Sequence, residues 1–133
     1  MSAPAPTRRI AARHLTLFSM YVPAIAAALE PRSSVAIVGI ESHICVTQTA
    51  LDLLAAGHAV YVLADAVSSC NPEEVPVALR RLAAAGVAVT TTESWIYEVM
   101  GDASIPAFKD VIKIVKDSGE DTKIALKALT PRI

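Results

Sequence analysis

One thiol in this chain stands where its surroundings could activate it. In GIESHICVTQTALDLLAAG, residues 39–57, Cys45 follows a glycine by a few positions and lies at the mouth of an apolar helix. A helix N-terminus presents unpaired N–H groups and a partial positive charge, an environment that favours thiolate over thiol. A thiolate that attacks a carbonyl also needs a base for its proton, a group to orient that base, and donors for the oxyanion that forms. Spacing alone does not supply that set. His43 reads either as a ligand contact near a strand end or as a solvated loop histidine, and Asp65 reads as a turn acceptor rather than an acid. Cys70 stands one residue before a helix cap, with no partner that the sequence names. Cys45 itself is either a nucleophile or a small buried hydrophobe.

The elements that must position these residues follow from apolar patterning. SSVAIVG (33–39) is a β-branched run ending in glycine, and HAVYVLAD (58–65) is a second, neither with a clean two-residue alternation. Both therefore read as strands covered on two faces of a parallel sheet. Between them lies a helix with Ser42 as its cap, Ile44, Leu51, Leu54 and Ala55 as its apolar face, and Gly57 at its end. NPEE (71–74) predicts a second helix start, with Asn71 as N-cap, Pro72 at the first helical position and Glu74 at the capping-box position, running to Gly86. VAVTT (87–91) is a third strand and ESWIYEVMG (93–101) a third helix, with Trp95 in the core beside Ile96, Val99 and Met100. Three strand–helix units in series imply an α/β layer with right-handed crossovers.

Outside those units, a short Ala-rich helix is expected from Pro23. An amphipathic cover helix over 106–116 places Phe108, Val111, Ile112 and Val115 opposite lysines. Residues from Ser118 onward are expected as a tail with weak helical content. The strand at 35–39 falls at a sheet edge with a nearly continuous apolar surface, which predicts self-association or low solubility.

Composition narrows the classes. The 133 residues suit one domain, and 53% of them are hydrophobic, yet no apolar run reaches the ~18–20 residues that a membrane span needs. Twelve basic and thirteen acidic residues give a formal charge of −1, without the basic stripe that nucleic acid would call for. Two cysteines make no disulfide framework, and no secretory signal is read at the N-terminus, so a reducing compartment is expected. The cytoplasm is the first expectation. A mitochondrial address is the alternative, because Arg8, Arg9, Arg13 and His14 all precede the first acidic residue, Glu30.

LFSM (17–20), AIVGIESHICVTQTALDLL (36–54), VYVLADAVSS (60–69), TTTES (90–94) and PAFKDVIKIVK (106–116) together resemble the isochorismatase-like cysteine hydrolases, closest to the eukaryotic isochorismatase domain-containing proteins. The resemblance spans residues 15–117, leaving 1–14 as a divergent tail and 118–133 as a second one. It implies a Rossmann-like, three-layer α/β/α fold with a parallel sheet, here reduced to about three strands because the N-terminal half of the domain is expected to be missing. It also implies a triad of Asp, Lys and Cys acting on small amides, imides or vinyl ethers. Cys45 stands at the nucleophile's place. Ile40–Glu41 stands at the family's non-proline cis peptide, with the backbone N–H groups of Glu41 and Cys45 as oxyanion donors and the Glu41 side chain merely trailing into the loop.

Two members of the triad do not carry over. The Asp position precedes the start of this sequence, and Leu15 stands where the family keeps its Lys, directly before TLFSM. Leucine holds no proton. His14 and Arg13 adjoin it, of which only His14 could serve as a base. No metal and no cofactor are expected, since the metal-binding relatives take their ligands from the half that is missing here. Three readings stay open: a hydrolase in lineage that is incomplete or inactive in this form, a non-catalytic module that pairs with a copy of itself or another protein through its sheet edge, and a thiol-reactive redox protein using Cys45 alone.

Overall fold

The computed structural model describes residues 17–130. In chain order the elements are α1 (Pro23–Ala28), β1 (Ser34–Ile40), a π-helical turn (Ser42–Val46) that runs directly into α2 (Thr47–Ala55), β2 (Ala59–Ser68), α3 (Glu74–Ala85), β3 (Ala88–Thr90), α4 (Thr92–Met100), α5 (Phe108–Asp117) and α6 (Gly119–Leu129). The three strands form one parallel sheet in the order β1-β2-β3, with helices on both sides. That is the α/β layer the sequence predicts, because a crossover helix between neighbouring strands leaves them parallel.

Local chemistry explains several boundaries. Proline opens α1, where its missing N–H costs nothing. Gly86 closes α3 at φ 105°, a left-handed conformation that glycine adopts without steric cost, and Val87 N–H then returns to the Leu82 carbonyl at 3.1 Å. The start of α3 differs from expectation. Asn71 does not cap it; Asn71 to Glu73 form a turn whose carbonyls at Asn71 and Pro72 accept the N–H groups of Glu74 and Val75, so the helix begins two residues later than the NPEE pattern implies.

The core is a cluster in which Val60, Val62 and Ala64 of β2 meet Val46, Ala50 and Leu53 from the Cys45 helix and Val75, Leu79 and Leu82 from α3. The apolar face of α2 is therefore not the one expected. Leu51 and Leu54 pack partly against the cluster, but Ile44 is only half-buried and Ala55 is exposed. The wide π turn puts residues 42–46 out of phase with the 3.6-residue period that the expectation counted from Ile44.

One irregularity in the sheet shapes everything near Cys45. Ile37 lies opposite Val62, yet Gly39 lies opposite Val67, so β2 takes five residues where β1 takes two. An odd number of inserted residues reverses which face a strand's side chains point to. Val67 accordingly joins the same cluster as Val60 and Val62. β2 continues to Ser68, beyond the expected end at Asp65, and its last residues come to lie beside the turn that follows β1.

The far side is thinner. No residue of α4, α5 or α6 is buried. Trp95, expected in the core, is half-buried together with Ile96 and Met100, while Val99 is exposed. On α5, Phe108, Val111, Ile112 and Val115 share the inner side as expected, but each is only half-buried. The segment after Ser118 is not a weakly helical tail: α6 is an 11-residue helix lying against β2. β1 is one of the two edge strands among the described residues, with Val38 and Ile40 more than half exposed.

Candidate active site

Cys45 lies in the π turn that joins β1 to α2, half-buried, on the wall of a cavity of about 610 Å³. The other walls are almost entirely apolar, supplied by Met20 and Ile25 on one side and Val38, Ile40 and Leu53 on the other. Thr49, one helical turn after Cys45, secures this arrangement. Its hydroxyl donates to the Cys45 carbonyl at 2.6 Å and accepts the Met20 N–H at 2.9 Å. A threonine hydroxyl bonded to the carbonyl four residues back is a familiar helix contact; the second bond, across 29 residues, docks the LFSM segment beside the thiol. Ser19, buried, accepts the Tyr21 N–H at 3.2 Å and tightens that segment. Neither Thr49 nor Ser19 was singled out from sequence, although the four-residue spacing of Thr49 from Cys45 was a readable signal.

The other edge of the turn is held by three successive residues. The peptide bond between Ile40 and Glu41 is cis. The Glu41 carboxylate accepts the Cys70 N–H at 2.8 Å, the Ser42 hydroxyl donates to the Ser68 carbonyl at 2.9 Å, and His43 Nδ1 lies 3.2 Å from the Ser69 hydroxyl. The side chain of Glu41 thus does not trail into the loop; it bridges two loops. Ser42 does not cap the helix: its side chain is fully buried and spent on Ser68. His43 is engaged rather than freely solvated, and Cys70, exposed, contributes its backbone N–H. The Cys70 N–H, and after it the Ser69 hydroxyl, hold the Glu41 carboxyl below the usual glutamate range by stabilising its charged form.

Asp65 is an acceptor, as the sequence suggests, but from within β2 rather than from a turn: its carboxylate takes the Thr92 N–H at 2.7 Å and the Thr92 hydroxyl at 2.9 Å, anchoring the start of α4. Arg13, His14 and Leu15 lie outside the described residues. No grouping of three or more His, Cys, Asp or Glu able to hold a metal ion occurs among the described residues, nor any helix long and apolar enough to cross a membrane.

Comparison with known proteins joins this geometry to a family. The isochorismatase domain model matches residues 4–94, a stretch that takes in β1, the Cys45 turn, α2, β2, α3 and β3. The chain belongs to the isochorismatase family. It is 41% identical over 115 residues to isochorismatase domain-containing protein 1 of Salmo salar, covering 84% of this chain and 41% of that protein. It is 42% identical over 110 residues to isochorismatase domain-containing protein 2 of Bos taurus, covering 80% and 53% respectively. Among solved structures it is similar to one described as the MAR1 ribonuclease from Caenorhabditis elegans, at 40% identity and a TM-score of 0.73, over 76% of this chain and 53% of that one. The chain therefore spans about half the length of these relatives. The family match also reaches upstream of Leu15, into the segment that the sequence reading set apart as a divergent tail.

Proposed function

We propose that this chain carries the nucleophile side of an isochorismatase-like hydrolase site, with Cys45 as the attacking thiol, a small amide, imide or vinyl ether as substrate class, and the N–H groups of Glu41 and Cys45 as oxyanion donors. The observation that carries the reading is the position of Cys45: half-buried, on the wall of a mostly apolar cavity, at the start of a helical run. Such a cavity suits a small organic molecule. The C. elegans structure's description names a ribonuclease, but a formal charge of −1 gives this chain little with which to hold a phosphate backbone.

We further propose that the chain alone does not turn over. Attack by sulfur on an amide carbon forms a C–S bond, and expulsion of the nitrogen breaks a C–N bond only once that nitrogen receives a proton. With Leu15 at the lysine position, no side chain is assigned to deliver it. Loss of triad partners typically lowers rates by ~10³–10⁶. The test is an assay against nicotinamide and other small amides, beside iodoacetamide labelling of both thiols read by peptide mass spectrometry. Cys45 should label faster than Cys70 at neutral pH, without turnover. Equal labelling would sink the nucleophile reading; turnover abolished by Cys45→Ser would sink the claim of inactivity and point to His14 as a substitute base.

A second reading, a module that pairs through its sheet edge, is favoured by the exposure of Val38 and Ile40 on β1. A chain that sediments as a single monomeric species would remove it.

A further inference from the structure

The cluster where β1 and β2 end contains one residue that reaches in two directions. The Glu41 carbonyl accepts the N–H groups of both Ile44 and Val46, at 3.2 and 3.1 Å, so the two residues flanking Cys45 hang from a single oxygen. The Glu41 carboxylate, pointing the other way, is bonded to the Cys70 N–H on the loop that leaves β2. The sheet's register shift is what brings that loop within reach. Without it, Ile40 would lie opposite Asp65 instead of Ser68, and the carboxylate would have no N–H at Cys70 to hold.

From this geometry we infer that the Glu41 side chain is a positioning residue for Cys45: by clamping the cis-linked end of β1 to the Ser68–Cys70 segment, it fixes the carbonyl from which the Cys45 turn is suspended. The inference rests on Cys45 being the group whose position matters, and it assigns to a side chain what the family resemblance leaves to the backbone. Glu41 is suited to local rather than global work. Its carboxylate is solvent-facing, whereas the adjacent link, Ser42 to Ser68, is fully buried and belongs to the fold itself. A surface hydrogen bond adds little to overall stability, but a reacting group held loosely loses rate steeply.

The experiment uses the full chain carrying Cys70→Ser, which keeps the backbone N–H and a side-chain donor beside Glu41 and leaves Cys45 as the sole thiol. The Cys45 alkylation rate with iodoacetamide is compared for Glu41, Glu41→Ala and Glu41→Gln, beside thermal melting and amide hydrogen exchange at Ile44 and Val46. Glu41→Ala should slow alkylation by roughly tenfold, because the turn that holds the thiol at the helix start loosens and the thiol loses part of the environment that favours its reactive form. It should also speed exchange at Ile44 and Val46 while the melting temperature stays nearly unchanged. Glu41→Gln, which retains an oxygen acceptor, should recover most of the rate. An unchanged rate and unchanged exchange in Glu41→Ala overturn the inference, as does loss of cooperative melting, which would make Glu41 a general structural residue; equal damage in Glu41→Gln overturns the assignment to this hydrogen bond. If Cys45 proves no more reactive than Cys70 in the unmodified chain, the nucleophile reading fails, and exchange at Ile44 and Val46 still decides whether Glu41 holds the turn.

Discussion

β2 runs between two parallel partners with Val60, Val62 and Leu63 buried, whereas β1, the richer of the two in β-branched residues, leaves Val38 and Ile40 more than half exposed at an edge of the sheet. The two strands read alike as sequence: SVAIVGI and AVYVLADAVS both lack alternation and both suggest cover on two faces. What separates them is the number of neighbours. A strand's burial is a property of the sheet around it, and apolar composition alone reports only that burial would be favourable. Where the two strands finish, side-chain hydrogen bonds from Glu41, Ser42 and His43 tie the turn after β1 to the end of β2 and the loop beyond it, and there the cysteine turn is built.

The contrast can be broken most directly at the core. Leu79→Ala on α3, a fully buried position packed against β2, should cost about 2–5 kcal/mol in chemical denaturation, while Val38→Ala on β1 should change stability by less than ~0.5 kcal/mol. Similar costs at the two positions would mean that β1 is covered as fully as β2. Next in size is Ser42→Ala. It leaves the Ser68 carbonyl without its buried donor and should cost about 1–3 kcal/mol, measured in the same way, because the unpaired acceptor keeps its desolvation penalty.

A smaller effect on stability, but a visible one on association, is expected from Val38→Lys. A lysine on the edge strand should leave unfolding within ~0.5 kcal/mol of the parent and reduce self-association in sedimentation velocity, since charged side chains discourage edge-to-edge pairing. If association is unaffected, the β1 edge is not the contact. The smallest effect concerns pH. The Glu41 carboxyl is held below its ordinary range when folded, so its contribution is present above the unfolded glutamate value and is lost as pH falls through the lower, folded value. Protection of the Cys70 amide, taken relative to the intrinsic exchange rate at each pH, should therefore persist through the ordinary glutamate range and fall only below it, and Glu41→Gln should abolish that step. A midpoint at the ordinary value would mean that the carboxylate is not held by the loop in solution.

Much of the scaffold was legible because its signals are local. Pro23 and Gly86 mark helix ends through conformations set by one or two residues, and a helix between apolar runs ending near Gly39 and beginning near His58 leaves little choice but a parallel pair. Cys45 was legible for the same reason: its distance from Gly39 and from the apolar repeat of α2 places it at a helix start. Errors arose where a local rule met a distant competitor. Ser42 has the residue type of an N-cap, yet a carbonyl 26 residues away takes its hydroxyl; Asn71 has the type too, but its segment closes as a backbone turn first. Trp95 and Val99 are large and apolar, yet α4 has too little packed over it to bury either.

By itself, then, the order of residues determined the parallel α/β layer, the thiol at the strand-to-helix junction and the membership of the isochorismatase family, all of which depend on types and spacings within short windows or on motifs in series. Tertiary structure alone decided how the site is held. The register shift in β2, the docking of Met20 on Thr49 and the bond from Glu41 to Cys70 join residues 25 to 29 positions apart. A strand can slip along its neighbour without changing its own backbone conformation, so no periodicity within either strand records where the two will lock; the lock is set by which side chains fill the space between β2 and the helices above it, and that space exists only once the chain has folded.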